Sequence, residues 1–394
     1  MIKRILYTLL IMFPVVASAQ INTDRVMAIG RNALYFEDYV LSIQYFNQVI
    51  NAKPYLSDPY FYRGLAKINL DDFQGAESDC SEAIERNPFV VSAYQVRGLA
   101  RIQQNNFAGA IEDYTKALEF DPENIGVWHN MALCRIRQED YKGAKNDLDK
   151  LIAISPRYTK AYLMRGEVDL KQKDTLAAEK DFGKAIEIDR YDADTWASRA
   201  ILRLQQQRYK DAEADFDHAI RLSTRNSGVY INRALARYHQ NNLRGAMSDY
   251  DIALDIDPNN FIGHYNRGLL RAQVGDDNRA IQDFNFVIEM EPDNMMAIFN
   301  RGLLLDQTGD YKGAIKDYST VINEYPNFLL GYQYRAQARR KIGDVKGADA
   351  DEFKVLKAQL DKQNGVDPNK QTADNTENNN CLLYTSPSPR DPKT

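Results

Sequence analysis

The stretch VSAYQVRGLARIQQNNFAGAIEDYTKALEFDPEN, residues 91–124, carries the pattern that decides the fold. In its second half Ala110, Ile111, Tyr114, Ala117 and Leu118 fall at offsets 0, 1, 4, 7 and 8, one apolar stripe at helical spacing. Asn105-Asn106 supplies a turn before that stripe, and Pro122 stops the helix after it. Shifting by 34 residues in either direction meets the same pattern: Pro54, Pro88, Pro122 and Pro156 lie on one grid with Pro258, Pro292 and Pro326, while Arg190 and Thr224 occupy its two missing slots. Laid out from Thr23, ten units run to Lys362 without an insertion.

Two further columns give the units a packing rationale. The first is always small: Gly30, Gly64, Gly98, Ala132, Gly166, Ala200, Ala234, Gly268, Gly302 and Ala336. The second, twelve residues later, is Ser42 and then alanine from Ala76 to Ala348. Two helices joined by a short turn approach closely only where side chains shrink to a hydrogen or a methyl, and a bulky residue there costs about 1–3 kcal/mol. A large plug fills the adjoining space: Phe46, Tyr114, Leu148, Phe182, Phe216, Tyr250, Phe284 and Tyr318. Cys80 takes that slot in the second unit, which makes it a buried filler rather than a reactive thiol. In the tenth unit Glu352 replaces the plug and Leu360 the proline, which suggests a capping repeat or a face covered by something further along the chain.

Period, small columns, plug and closing proline together resemble the tetratricopeptide repeat family, over 340 of the 394 residues. Aromatic Tyr60, Tyr94, Trp128, Tyr162, Trp196, Tyr230 and Tyr332 match the family's aromatic slot early in the first helix, whereas His264 and Ile298 depart from it. The resemblance implies an all-α fold, a right-handed α-α superhelix of ten helix-turn-helix repeats. Its first helices would line a concave groove.

Charge recurs on the same grid. Arginine precedes the small residue at 63, 97, 165, 199, 233, 267, 301 and 335, and aspartate recurs in the second helix from Asp79 to Asp351. Across a helical hairpin the two columns lie at similar heights. They form either a salt-bridge ladder that fixes register, the preferred reading, or a strip that binds anions or peptides. The fourth unit has Met131 opposite Asp147, so a ladder must tolerate one gap.

Composition closes other routes. A hydrophobic share of 44% is too high for wholesale disorder, and a charged share of 27% too high for a protein of many membrane spans. A net charge of −5 lacks the positive field of a nucleic-acid binder. Three cysteines rule out a disulfide scaffold and a four-cysteine zinc site. Histidines 129, 218, 239 and 264 sit at different places in their units, and no phosphate loop, zinc-protease or serine-elbow motif occurs. The expectation is a non-enzymatic chain with no cofactor and no metal.

At the N-terminus Lys3 and Arg4 precede an apolar run to Val16 and then Ala17-Ser18-Ala19, the layout of a signal peptide (residues 1–19) cut before Gln20. The run is shorter than the roughly 20 residues needed to span a bilayer. Export is therefore expected, to a bacterial periplasm first, with secretion or outer-membrane association as alternatives. Residues 363–380 read as a disordered linker, poor in aliphatics. Residues 381–394 read as a non-native read-through tail, and a native chain continuing past Asn380 into another domain is part of that expectation.

Within the resemblance, the slots of the family's carboxylate clamp hold pairs such as Phe61 with Leu65 and Ile231 with Leu235, so a chaperone-tail receptor is not supported. The slot of its asparagine ladder holds Asn130 and then, in consecutive units, Asn232, Asn266 and Asn300. An amide offers a donor and an acceptor together, which suits gripping a peptide main chain. Tyr265, Phe299, Gln273 and Gln307 accompany them, making units seven to nine the candidate site for a protein or peptide ligand. Asn-Arg-Gly as no more than a favoured helix sequence is the competing reading. The expected function is a protein- or peptide-binding scaffold of the cell envelope. The alternatives are a spacer in an envelope assembly or polysaccharide-export system, or the adaptor half of a larger protein.

Overall fold

The computed structural model describes residues 22–222 and 225–363. The expected leader and tail, and the linker apart from Gln363, lie outside them. Twenty helices, and no strand, occupy the described residues. They are α1 (Thr23–Tyr35), α2 (Tyr39–Ala52), α3 (Asp58–Ile68), α4 (Phe73–Arg86), α5 (Val91–Gln103), α6 (Phe107–Phe120), α7 (Ile125–Arg137), α8 (Tyr141–Ile154), α9 (Thr159–Lys171) and α10 (Thr175–Ile188). The series continues with α11 (Ala193–Gln205), α12 (Tyr209–Arg221), α13 (Ser227–His239), α14 (Leu243–Ile256), α15 (Phe261–Gln273), α16 (Asp277–Met290), α17 (Met295–Gln307), α18 (Tyr311–Glu324), α19 (Leu329–Lys341) and α20 (Val345–Gln363). Second helices begin every 34 residues, from Tyr39 to Val345, on the grid read from the prolines. The fold is all-α, of the α-α superhelix class. The chain divides between Ala178 and Glu179 into two compact bodies. Within each body a first helix packs on its own second helix, which in turn packs on the next first helix.

The turn inside each repeat has a fixed device. Residues 37, 71, 105, 139, 173, 207, 241, 275, 309 and 343 all adopt positive φ, from 59° at Asp71 to 93° at Gly309. Only the last three are glycine. The residue that follows caps the second helix: Asp38, Asp72, Asn106, Asp140, Asn242, Asp310 and Asp344 each accept the backbone N–H three positions on. Asn105 and Asn241 suit a left-handed turn; Glu139 and Gln207 do not, and hold it against their own preference. Gln207→Gly is therefore expected to raise stability by about 0.5–1 kcal/mol and Asn241→Gly by much less, a difference that paired thermal melts resolve.

The core follows the plug column. Phe46, Tyr114, Leu148, Phe216, Tyr250, Phe284 and Tyr318 are fully buried. A Cβ added at Gly98 would stand 2.8 Å from Tyr114 Cε1, and one at Gly30 would stand 2.7 Å from Phe46 Cε1. Cys80 and Cys134 are free and buried, and burial pushes both thiols up to about 12, so they stay protonated and act as packing.

The aromatic slot fastens the loop between repeats. Tyr60, Trp128, Tyr162 and Trp196 donate to the backbone carbonyls of Pro54, Pro122, Pro156 and Arg190 at 2.8–3.2 Å. His264, which departs from the aromatic pattern, takes the same place, its Nε2 lying 3.0 Å from the Pro258 carbonyl oxygen. At the C-terminal end Glu352 lies on the surface paired with Arg340, but Phe353, Leu356 and Leu360 are exposed beside it. That face is not the polar cap that Glu352 alone suggests.

Candidate functional site

The recurring charges come together as a lattice. Arg63, Arg97, Arg199, Arg233, Arg267, Arg301 and Arg335 each grip the aspartate sixteen residues on through Nε and Nη2, as in Arg233–Asp249 at 2.9 and 2.6 Å. This fork on a carboxylate is the strong form of the contact. A second basic residue four positions later closes on the same carboxylate: Lys67, Arg101, Arg203, Arg237, Arg271 and Arg339 at 2.8–3.0 Å. Arg101, Arg203 and Arg237 also reach back to Glu77, Glu179 and Glu213 of the preceding second helix. In the fifth repeat this last contact appears with its signs exchanged, Lys145 donating to the buried Asp169 at 2.5 Å. A contact that keeps its place while swapping its charges serves packing register, not recognition of an anion, and the ladder reading holds.

At three of these carboxyls burial and basic partners act against each other. Burial pushes Asp283 up, but bonds from His264 and Arg267, with Arg271 alongside, outweigh it and leave the group below its ordinary range. At Asp113 burial wins: Arg97 and Arg101 offset only part of it, Glu77 adds to it, and the group stays above its ordinary range. Asp147 faces Met131 where the arginine should be. Burial dominates there, Arg135 at 2.7 Å offsets only part of it, and the group is lifted to about 6. Between its ordinary value near 3.8 and about 6 the folded chain therefore holds a proton that the unfolded chain has lost, and this site's contribution to stability falls as pH rises through that window. Met131→Arg should supply the missing fork, with Thr115 placed to accept its third arm as Ser81 does for Arg97. The expected gain is about 1–2 kcal/mol at pH 7 with a flatter profile from pH 4 to 6, read from melts across that range.

The candidate ligand residues do not share one surface. Asn232, Asn266 and Asn300 are 1%, 0% and 5% exposed, and Tyr265 is fully buried. Asn300 Nδ2 donates to the Tyr265 hydroxyl at 3.1 Å, joining consecutive repeats, and Tyr265 meets Phe284 edge-on with centroids 5.7 Å apart. All three amides are buried, and that of Asn300 is engaged between two repeats. Phe299 is half-buried among Tyr318, Phe328 and Tyr334, and Gln273 and Gln307 are exposed at the ends of α15 and α17. Among other first-helix aliphatics, Ile201 and Leu204 are buried and Ile102, Leu133 and Ile136 pack into their cores, while Leu99 stays 39% exposed. The second basic column escaped sequence reasoning, although its four-residue offset from the first was visible. Among the described residues no three His, Cys, Asp or Glu side chains are placed to hold a metal ion, and no helix is long and apolar enough to cross a membrane.

Comparison with known proteins follows the same grid. Two family models described as tetratricopeptide repeat match residues 125–158 and 159–192, and residues 198–261 and 265–327; a third, described as TPR repeat, matches residues 98–134. The first of these falls on the fourth and fifth units as laid out from Thr23. No curated protein matches the chain. Among solved structures, the C-terminal part of a TPR repeat-containing protein from Cytophaga hutchinsonii is 18% identical, covering 60% of this chain and 97% of its own, with a TM-score of 0.50. A tetratricopeptide repeat protein from Parabacteroides merdae is 21% identical, covering 63% and 98%, with a TM-score of 0.49. At such identity the likeness is one of fold.

Proposed function

Because the chain belongs to the tetratricopeptide repeat family, whose repeats typically build protein-interaction scaffolds, we propose that it is a non-enzymatic scaffold of the cell envelope that holds a protein or peptide against its first helices. One observation carries this reading. The recurrent charged groups are consumed in pairing helix to helix, so the frame is built to keep its spacing, and the variable first-helix side chains between them remain for contact. In the eighth and ninth repeats these are the exposed Gln273 and Gln307 with the half-buried Leu269, Leu303 and Phe299. Such a strip combines amides that align a main chain with apolar area that contributes affinity. Envelope placement rests on the charged head, apolar run and Ala17-Ser18-Ala19 of the leader.

In-cell photo-crosslinking tests both parts. A photoreactive residue at Gln273 or Gln307 should yield one discrete adduct, and the mature chain recovered from the periplasmic fraction should begin at Gln20. A chain that stays in the cytoplasm with its leader intact would remove the envelope assignment. Adducts formed as well from Phe353 on α20 as from Gln273 would remove the first-helix assignment.

A further inference from the structure

The ladder has one step with an unused arm. Beyond its own aspartate, each forked arginine extends Nη1 to the residue sixteen positions earlier, on the preceding second helix. Arg63 reaches Asn47, Arg97 Ser81, Arg233 Asp217, Arg267 Asp251, Arg301 Asn285 and Arg335 Ser319, all at 2.6–3.1 Å. Arg165 makes the same reach to Asp149 at 2.6 Å. For Arg199 the corresponding residue is Gly183, which has no side chain to accept the bond. A Cβ built on Gly183 would have only Arg199 Nη1 within contact distance, at 4.0 Å, so the slot is open and the donor faces it.

That slot opens into a cavity of about 590 Å³ within the second body, between α10, α11 and α12. Trp196 forms one wall, stacked on His218 with centroids 4.3 Å apart and held beneath the Arg199 guanidinium. Arg190 and Arg221 stand exposed at the rim, and Glu187 is the one acid in the lining. Arg190 occupies one of the two slots where the grid lacks its proline, so the departure from the repeat pattern adds a charge at this mouth.

We propose that this cavity binds a carboxylate: the side chain of an aspartate or glutamate on a partner protein, entering where Asp149, Asp217 and Asp251 place their own carboxylates in neighbouring steps of the ladder. Neighbouring steps fill this place with aspartate, the donor at its floor is a guanidinium already paired with Asp215 but with Nη1 to spare, and the exposed Arg190 and Arg221 outnumber Glu187 at the mouth. An indole wall suits the apolar part of the partner's chain. The site shares no residue with Gln273, Gln307 or their neighbours, and only the identity of the carboxylate's carrier rests on the scaffold reading.

The Trp196 indole N–H donates to the Arg190 carbonyl at 3.0 Å, so its NMR signal reports on the cavity. In the full-length protein, titration with a blocked peptide centred on aspartate should shift that signal saturably. The asparagine version of the peptide, and inorganic phosphate, should each bind at least tenfold more weakly. Gly183→Asp, which copies the ladder's own solution, should abolish the shift while the melting temperature holds or rises. Equal binding of the asparagine peptide, tighter binding of phosphate, or an undiminished shift in Gly183→Asp would each overturn the assignment. Failure of this titration beside successful crosslinking at Gln273 would reject the cavity and leave the scaffold standing.

Discussion

Asp249→Ala is expected to cost about 3–5 kcal/mol and to open the seventh repeat first. The Asp249 side chain is 1% exposed and accepts from Arg233 Nε and Nη2 and from Arg237 Nη1, at 2.9, 2.6 and 2.9 Å. Its removal leaves two guanidiniums, only 12% and 18% exposed, with only the more exposed Asp217 and Glu213 as counter-charges. Stranding buried charge costs far more than an exposed pair contributes. Arg233→Met should be milder, about 1.5–3 kcal/mol, because Arg237 still partners the carboxylate. The fourth repeat shows this milder state, with Met131 beside Asp147 and Arg135. Urea titrations followed by far-ultraviolet circular dichroism separate the two variants. Equal midpoints would mean that the second basic column contributes nothing.

Phe284→Ala is expected to cost a further 3–5 kcal/mol by a different mechanism, loss of apolar burial plus an unfilled cavity. Phe284 is fully buried, lies against Gly268, whose added Cβ would meet its ring at 3.2 Å, and supports Tyr265 edge-on. Approaching the same contact from the other side, Gly268→Ala should be nearly tolerated, since Ala200 and Ala234 face Phe216 and Tyr250 in equivalent positions. Gly268→Leu should lose about 1–3 kcal/mol to overpacking. Melting temperatures of the three variants give the comparison, and a Phe284→Ala protein as stable as the parent would show that the plug column is not the core.

The repeat frame was legible because its determinants are local and periodic. A small residue, a plug sixteen positions later and a closing proline recur at one spacing, and helical geometry converts that spacing into a face. The turn is readable at Asn105-Asn106, but its extension to the other repeats is masked where Glu37, Asp71, Lys173 and Gln207 occupy positions that glycine would have advertised. Burial of Asn232, Asn266 and Asn300 was beyond reach for a different reason. Spacing within one helix says which face a residue lies on, but whether that face meets solvent depends on how closely the next repeat leans over it, as Tyr265 and Asn300 do together. The vacancy at Gly183 is written in the sequence only as a missing acceptor. It becomes visible once the third arm of each arginine is known to need one.

Stability is expected to be local, each repeat held by its own aspartate lattice and by contact with its immediate neighbours. Hydrogen exchange resolved by repeat, comparing the parent chain with Asp249→Ala, tests it most directly. Protection should fall sharply across residues 227–260, less in the sixth and eighth repeats, and not at all in α3 to α6. Equal loss of protection from α3 to α18 would contradict it, as would unchanged protection around Asp249.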